Sequence, residues 1–358
     1  MELVLSILQE AIPDSYRKYG FYNFNNNFTV EHASAVAKCL DIKRLQCKKP
    51  INKEVWRLIN EELLTIRPDI TVRIHGYYAQ VCDLSFLAEL TNVQSLSIDG
   101  ILESRNVEYI SRLSKLSKLT LDINDLKAFD FLNSINDNLI ELDIGRTNSK
   151  KPDLKVLERF RCLEFLALRG QNKNIEVLST LSSLNEISLS GTTVGNFKFL
   201  HKLNKLDSLN LDLIKSSDFD SVNTLNIKSL SVSEIRGLED LSFISGFPHL
   251  QSISLDCLNK VEKIPSLSSE HSLRRVFIDN MKKLSDIKGL YACVHLEDFI
   301  FRNSTTPLSA RDFIPIIHLG SLKYAAIGTG SVKKNDEIDR LLNQAKIDRY
   351  EYYDFVFK

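Results

Sequence analysis

Apolar residues recur along the chain in the pattern L-x-x-L-x-L, with Ile, Val or Phe standing in for Leu. The first positions are Val93, Leu116, Leu139, Leu163, Leu184, Leu206, Ile227, Leu250, Leu273 and Leu296, with a looser copy from Leu322. Successive copies lie 21 to 24 residues apart, and 26 at the last step. Two weaker copies lie upstream: IKRLQC from Ile42, and DITVRI from Asp69 with Val72 and Ile74 in the inward slots. One short strand per period of this length is the mark of a solenoid, in which no repeat buries its apolar face alone and stacked neighbours bury it together. The fourth and sixth positions lie two apart and point to one strand face, so Ile187 and Leu189 are predicted to enter the core. Upstream pairs such as Leu178 and Leu181, or Leu200 and Leu203, suit a helical turn or irregular segment that closes the core from behind.

The flanks depart from this rhythm. VEHASAVAKCL (30–40) and KEVWRLINEELLTI (53–66) have helical spacing, and Trp56 is predicted as core or cap. EIDRLLNQAK reads as a helix and DRYEYYDFVFK as a final strand, with Tyr350, Tyr352, Phe355 and Phe357 as packing handles that close the last turn. The organisation expected is a helical cap over 1–41, repeats over 42–330 and a second cap over 331–358, in one continuous solenoid domain.

DLSFLAELTNVQSLSIDG (83–100), NFKFLHKLNKLDSLNLDL (196–213) and DLSFISGFPHLQSISLDC (240–257) together resemble the leucine-rich-repeat family, in its short internalin-like bacterial class. The resemblance covers roughly residues 40–330. It implies an α/β solenoid: a horseshoe of about a dozen turns with a parallel concave sheet and a helical or irregular convex side. At about 4.8 Å per turn the strand face would span roughly 55–60 Å, enough to cradle a small domain. The family's Asn at the ninth position of each turn is mostly missing: Asn124 occupies it once, while Ile101, Thr147, Gln171, Thr192, Ile214, Leu258 and Met281 stand there elsewhere. An asparagine ladder is therefore not expected.

Composition narrows the function. Lys+Arg and Asp+Glu each number 46, so net charge gives no reason to expect nucleic acid or an anionic membrane as partner. The six cysteines show no CxxC and read as reduced thiols of a cytoplasmic protein. MELVLSILQEAIPDSY reads as an amphipathic helix and not a signal peptide, and no apolar run reaches the length of a membrane span. There is no glycine-rich phosphate loop, H-E-x-x-H or G-x-S-x-G, and no catalytic residue, cofactor or metal ligand is assigned. His249 and His295 hold equivalent slots two turns apart, about 10 Å, too far to share a metal. Cys293, two residues before His295, falls in the apolar register and reads as a buried thiol, not a nucleophile.

The outward strand positions carry the candidate site. Carboxylates recur at Asp99, Asp122 and Asp143, then at Asp256 and Asp279. Each could accept a hydrogen bond in the turn after its strand, or together they could steer a basic partner. No spaced oxygen-ligand motif supports calcium. Later turns carry Arg275, Phe277, Ile300, Arg302 and Tyr324, the residue types of a binding hot spot, unless the terminal segment folds back over them. Phe165 and Arg169 form a smaller candidate. The reading adopted is a non-enzymatic protein-binding module, monomeric when free, that acts by occupying a protein partner on its concave face. An immunity-type inhibitor of a bacterial toxin is its specific version, an adaptor or host-directed effector scaffold the alternative, and a cryptic hydrolase or transferase the rival of another class.

Overall fold

A computed structural model of the 358-residue chain describes residues 19–76, 80–149, 152–216, 218–223 and 225–357. The helix expected over residues 1–16 lies outside the described residues. The chain forms two compact units, 1–184 and 185–358.

In the first unit the strands are β1 (Phe21–Asn23), β2 (Arg44–Cys47), β3 (Thr71–His75), β4 (Cys82–Asp83), β5 (Ser95–Ile101), β6 (Ser104–Arg105), β7 (Lys118–Ile123), β8 (Glu141–Ile144) and β9 (Phe165–Arg169). All except β4 and β6 form a parallel sheet in chain order. β4 and β6 pair only with each other. β1 was not foreseen, because FYN stands in no repeat slot. The two N-terminal helical stretches form as expected: α1 (Val30–Lys38), and α2 (Lys53–Leu58), which widens into a π turn at Ile59–Leu63. Trp56 is buried and stacks on Phe86 with ring centroids 4.4 Å apart, a core contact as predicted.

The second unit carries β10 (Glu186–Ser190), β11 (Ser208–Asp212), β12 (Ser229–Ser233), β13 (Ser252–Asp256), β14 (Arg275–Asp279), β15 (Asp298–Arg302), β16 (Tyr324–Gly328) and β17 (Asp348–Arg349). These also pair parallel in chain order. Two helices join them, α3 (Ala310–Ile317) and α4 (Val332–Ala345). Register is residue for residue, so the inward slots stack as columns: Ile187 on Leu209, Leu209 on Leu230, Ile253 on Val276. Every first-position residue from Val93 to Leu296 is buried, and so are Val72 and Ile74.

The segments behind the strands are mostly single 3-10 turns, such as Leu84–Glu89, Leu154–Arg159 and Lys198–Lys202. Their starts are fixed by a capping residue absent from the apolar pattern. Asp83, Asp153, Asn196, Asp240 and Asp286 each accept a hydrogen bond from the backbone N–H two residues on. Asn106 and Asn174 then reach back from the following turn to Asp83 and Asp153. These bonds hold both carboxyls below their ordinary value, Asp153 at about 2.

The eighth position of most turns is left-handed. It is Gly100, Gly170 or Gly191 in three turns, but Leu213, Glu234, Cys257 and Asn280 in four others. Among the described residues no run of asparagines links the ninth positions, but Gln171 makes such bonds locally. It is fully buried, donates to Gly145 O and Thr147 Oγ1, and accepts from Arg169 N–H. One residue earlier in its own turn, Asn303 bonds both the N–H and the carbonyl of Met281.

The final stretch departs from expectation. Only Asp348 and Arg349 continue the sheet, and Tyr350 N–H gives it one further bond, to Ala325 O. Residues 351–357 then run across the outward face of β14–β16 instead of extending it. Tyr352 and Phe357, expected to pack, are 85% and 40% exposed; Tyr353, 37% exposed, leans on Tyr324 instead.

Candidate functional site

In the first unit, outward side chains from β2 to β9 line a depression of ≈ 440 Å³ that includes Arg44, Arg73, Asp99, Lys118, Glu141, Asp143 and Phe165. Strand alternation places every second residue there, and parallel register sets each charge beside one from the next turn. Arg73 clamps Asp99 with two bonds of 2.5 and 2.6 Å and donates a third to Gln46, which in turn bonds Asn23. Ser97 donates to the same Asp99 carboxylate. Burial opposes ionisation of Asp99, but Arg73 and Ser97 outweigh it and hold the carboxyl below its ordinary range. Lys118 pairs with Glu141, and Arg169 with Asp143.

Of the three carboxylates here, Asp99 and Asp143 are therefore neutralised by ion pairs. Asp99 and Asp143 each face an arginine contributed by a neighbouring strand, a pairing that a column-by-column reading of the sequence does not see. Asp122 lies over Gly145, where a Cβ would fall 2.2 Å from its Oδ1, so the next turn must carry glycine for Asp122 to keep its place. Phe165 lines the same depression, half-buried beside the charges.

In the second unit, Asp256 and Asp279 are direct cross-strand partners, and Asp279 in turn faces Arg302. Burial and the Asp256 charge push the Asp279 carboxyl above its ordinary value, with Arg302 opposing. Of the five-residue cluster, Arg302 is exposed, and Phe277 and Tyr324 are half-buried. Arg275 and Ile300 are not on the surface: they are 5% and 1% exposed. The open hot spot expected from sequence is thus covered. Arg275 Nε donates to Asp298 Oδ2 at 2.7 Å, and Asp298 is fully buried. Tyr353 donates its phenol to the same oxygen at 2.5 Å. The guanidinium of Arg275 lies 4.4 Å from the Tyr353 ring centre and 4.2 Å from that of Phe355. Tyr350 meets Phe277 edge-on, and Tyr353 leans on Tyr324.

The stacked register, the one-strand period and the apolar columns invite comparison with known structures. An internalin, InlF of Listeria monocytogenes, matches over 98% of this chain and 94% of its own, at 14% identity and a TM-score of 0.51. A chain of the mouse RP105/MD-1 complex matches over 92% of this chain and 67% of its own, at 16% identity and a TM-score of 0.50. The fold is the leucine-rich-repeat α/β solenoid. No protein-family model and no curated protein matches the sequence.

Other sequence candidates fall into place around this fold. Cys293 is fully buried, and burial pushes its thiol up to about 11, as a structural thiol requires. His249 and His295 line one depression with Arg274, Glu297 and Lys323, in which both cations pair with Glu297. Among the described residues no group of three or more His, Cys, Asp or Glu side chains is placed to hold a metal, and no helix is long and apolar enough to cross a membrane. Asp298 is the site residue that sequence reasoning missed. It sits in the column that supplies Arg275 one strand earlier, 23 residues back.

Proposed function

We propose that this leucine-rich-repeat protein is a binding module for a protein partner, and that the outward strand face from Arg44 to Arg169 is its recognition surface. One observation supports this most: mixed charges on that face are fixed to one another across rigid strands before any partner arrives. Such a surface loses little side-chain entropy on binding and needs no reorganisation to present its charges. Phe165, seated among them, is the aromatic residue suited to a desolvated centre. Both signs are displayed, so the partner that fits carries both signs in the complementary order, not a uniformly basic patch. A stand-alone module of this kind acts by occupancy. Blocking the active surface of an enzymatic toxin, as an immunity protein does, is the specific form we would test first.

The test is affinity capture from the native cell with quantitative mass spectrometry, using wild type, Phe165→Ala and the charge reversal Lys118→Glu/Glu141→Lys. A partner retained by wild type should fall at least tenfold with Phe165→Ala. With the reversal it should associate more slowly at low salt, and the difference should shrink as salt rises. A partner captured equally by all three folded proteins places recognition elsewhere.

A further inference from the structure

We propose that residues 350–357 are a displaceable internal ligand, and that the face beneath them is a binding site for an extended partner segment with aromatic side chains, one of them a phenol. This inference concerns the second unit and does not depend on the surface proposed for the first.

The covered site is unlike the rest of the outward face. At the positions aligned with Arg275 and Phe277, β12 and β13 carry only Ser229, Ser231, Ser252 and Ser254. From β14 onward the same columns carry Arg275, Phe277, Asp298, Ile300 and Tyr324. An ion pair on a strand's solvent side has no reason to be buried, and burying it costs desolvation that the pair's attraction need not repay. What buries it is the strap formed by 350–357. The polar end of that interaction is specific: the Tyr353 phenol fills a place on Asp298, and Arg274 donates to Val356 O at 2.9 Å while lying 4.8 Å from the centre of the Phe355 ring.

The strap is held as a bound peptide is held, not as a strand. After Tyr350 no backbone N–H of the segment bonds the sheet among the described residues. Grip comes from three rings, buried Tyr350, half-buried Phe355 and Tyr353, which keeps 37% exposure, while Glu351, Tyr352, Asp354, Val356 and Phe357 face solvent. A segment with so few main-chain bonds and six of its eight residues exposed opens locally at far lower cost than a repeat does. Lys346, in the left-handed conformation at the end of α4, is the turn from which it departs. An external segment with aromatics in the same spacing, at positions one, four and six, can take the same three seats.

The probe is a fluorescein-labelled peptide of residues 348–357, measured by polarisation against the full chain. Wild type, whose site is filled, should bind it weakly. Tyr353→Ala/Phe355→Ala, which loosens the strap, should bind it at least tenfold more tightly. Adding Arg274→Ala should remove most of that gain. Tyr353→Phe loses only the phenol bond and keeps the fold's packing. It should bind about threefold more tightly than wild type, and it serves if the double variant does not fold. Equal binding to wild type and to a folded loosened variant overturns the proposal, as does no binding to either. A wild-type chain that sediments as a dimer exchanging straps overturns it too, since the occupant is then a second copy.

Discussion

The Arg275–Asp298 pair permits a quantitative test of how completely the strap excludes water. Both groups are almost fully buried, and the contact is 2.7 Å. At an effective dielectric of about 20, two unit charges about 3 Å apart attract by about 5–6 kcal/mol, a gross figure from which desolvation must be subtracted. Removing one partner strands the other. Asp298→Ala should therefore cost about 3–5 kcal/mol, because the guanidinium is left charged beneath two rings with no carboxylate. Arg275→Met should cost somewhat less, since the Tyr353 phenol still donates to Asp298. Removing both, as in Arg275→Met/Asp298→Leu, leaves apolar groups of similar bulk beside Phe277 and Ile300, and such replacements are often neutral. The double variant should lie within about 2 kcal/mol of wild type, well below the sum of the single losses. Urea unfolding followed by far-UV circular dichroism gives each value, provided the slope with denaturant is unchanged. Single losses under about 1 kcal/mol, the range of exposed pairs, would show that the pair is solvated and the strap does not seal it. Strict additivity would show that the two residues do not act as a pair.

Four further outcomes are expected. Leu209→Asp places a partnerless carboxylate and a void in a fully buried slot, a loss of several kcal/mol that should leave the protein insoluble or without a cooperative transition; unchanged melting would refute the register. Glu234→Gly relieves a left-handed residue that costs about 1–2 kcal/mol, set against about 0.5–1 kcal/mol of glycine entropy. It should therefore raise the melting temperature slightly, whereas the same change at Lys228, which is not among the residues of positive φ, should lower it. Asp153 has its pKa depressed to about 2 by its capping bonds, so its stabilising contribution is complete above the ordinary carboxyl value near 4 and is lost as pH falls from there towards 2. Asp153→Ala should thus flatten the acid limb of a stability–pH curve. All six cysteines are free, and under native conditions exposed Cys162 should react with a thiol reagent well before Cys47, Cys82 and Cys293, whose thiols are buried and shifted upward.

The repeat was legible because its signal is redundant: each first position and each inward slot is buried in turn after turn, and one misread copy would not shift the others. Trp56 and the two N-terminal helices were legible for a similar reason, an apolar spacing that only a helix satisfies. The site was less so. Outward columns show which residues share a face, but Arg73–Asp99, Asp143–Arg169 and Arg275–Asp298 are pairings between strands, 23 to 26 residues apart, and they turn nominally free charges into neutral clamps. The strap reads as a strand in sequence because Tyr350 and Tyr352, then Phe355 and Phe357, stand two apart. Its choice of the strand face over the sheet edge rests on where Arg275 and Asp298 lie, not on its own pattern. The left-handed eighth position gave no signal in four turns, where Leu213, Glu234, Cys257 and Asn280 hold a conformation usually reserved for glycine. The capping aspartates were visible as a recurrent D-L or D-I just upstream of the apolar pair, and were overlooked because they carry no apolar residue.

The residue-for-residue parallel ladder also governs how the chain folds. Ser252 pairs with Arg275, and the other rungs join residues at similar separations, about 23 positions in a 358-residue chain, a ratio of about 0.06. That is at or below the value for helical bundles, although the structure is built on sheets, and sheets ordinarily assemble slowly because their strands come from far along the sequence. Closing a loop of about 20 residues costs little more than closing a hairpin, since the penalty grows only with the logarithm of length. Any two adjacent turns can therefore serve as a nucleus, and each later strand docks on a template already formed. On the ribosome, a new rung can form whenever another two dozen or so residues have cleared the exit tunnel, so beyond the standing edge at β1 the growing sheet exposes only the edge of its newest strand.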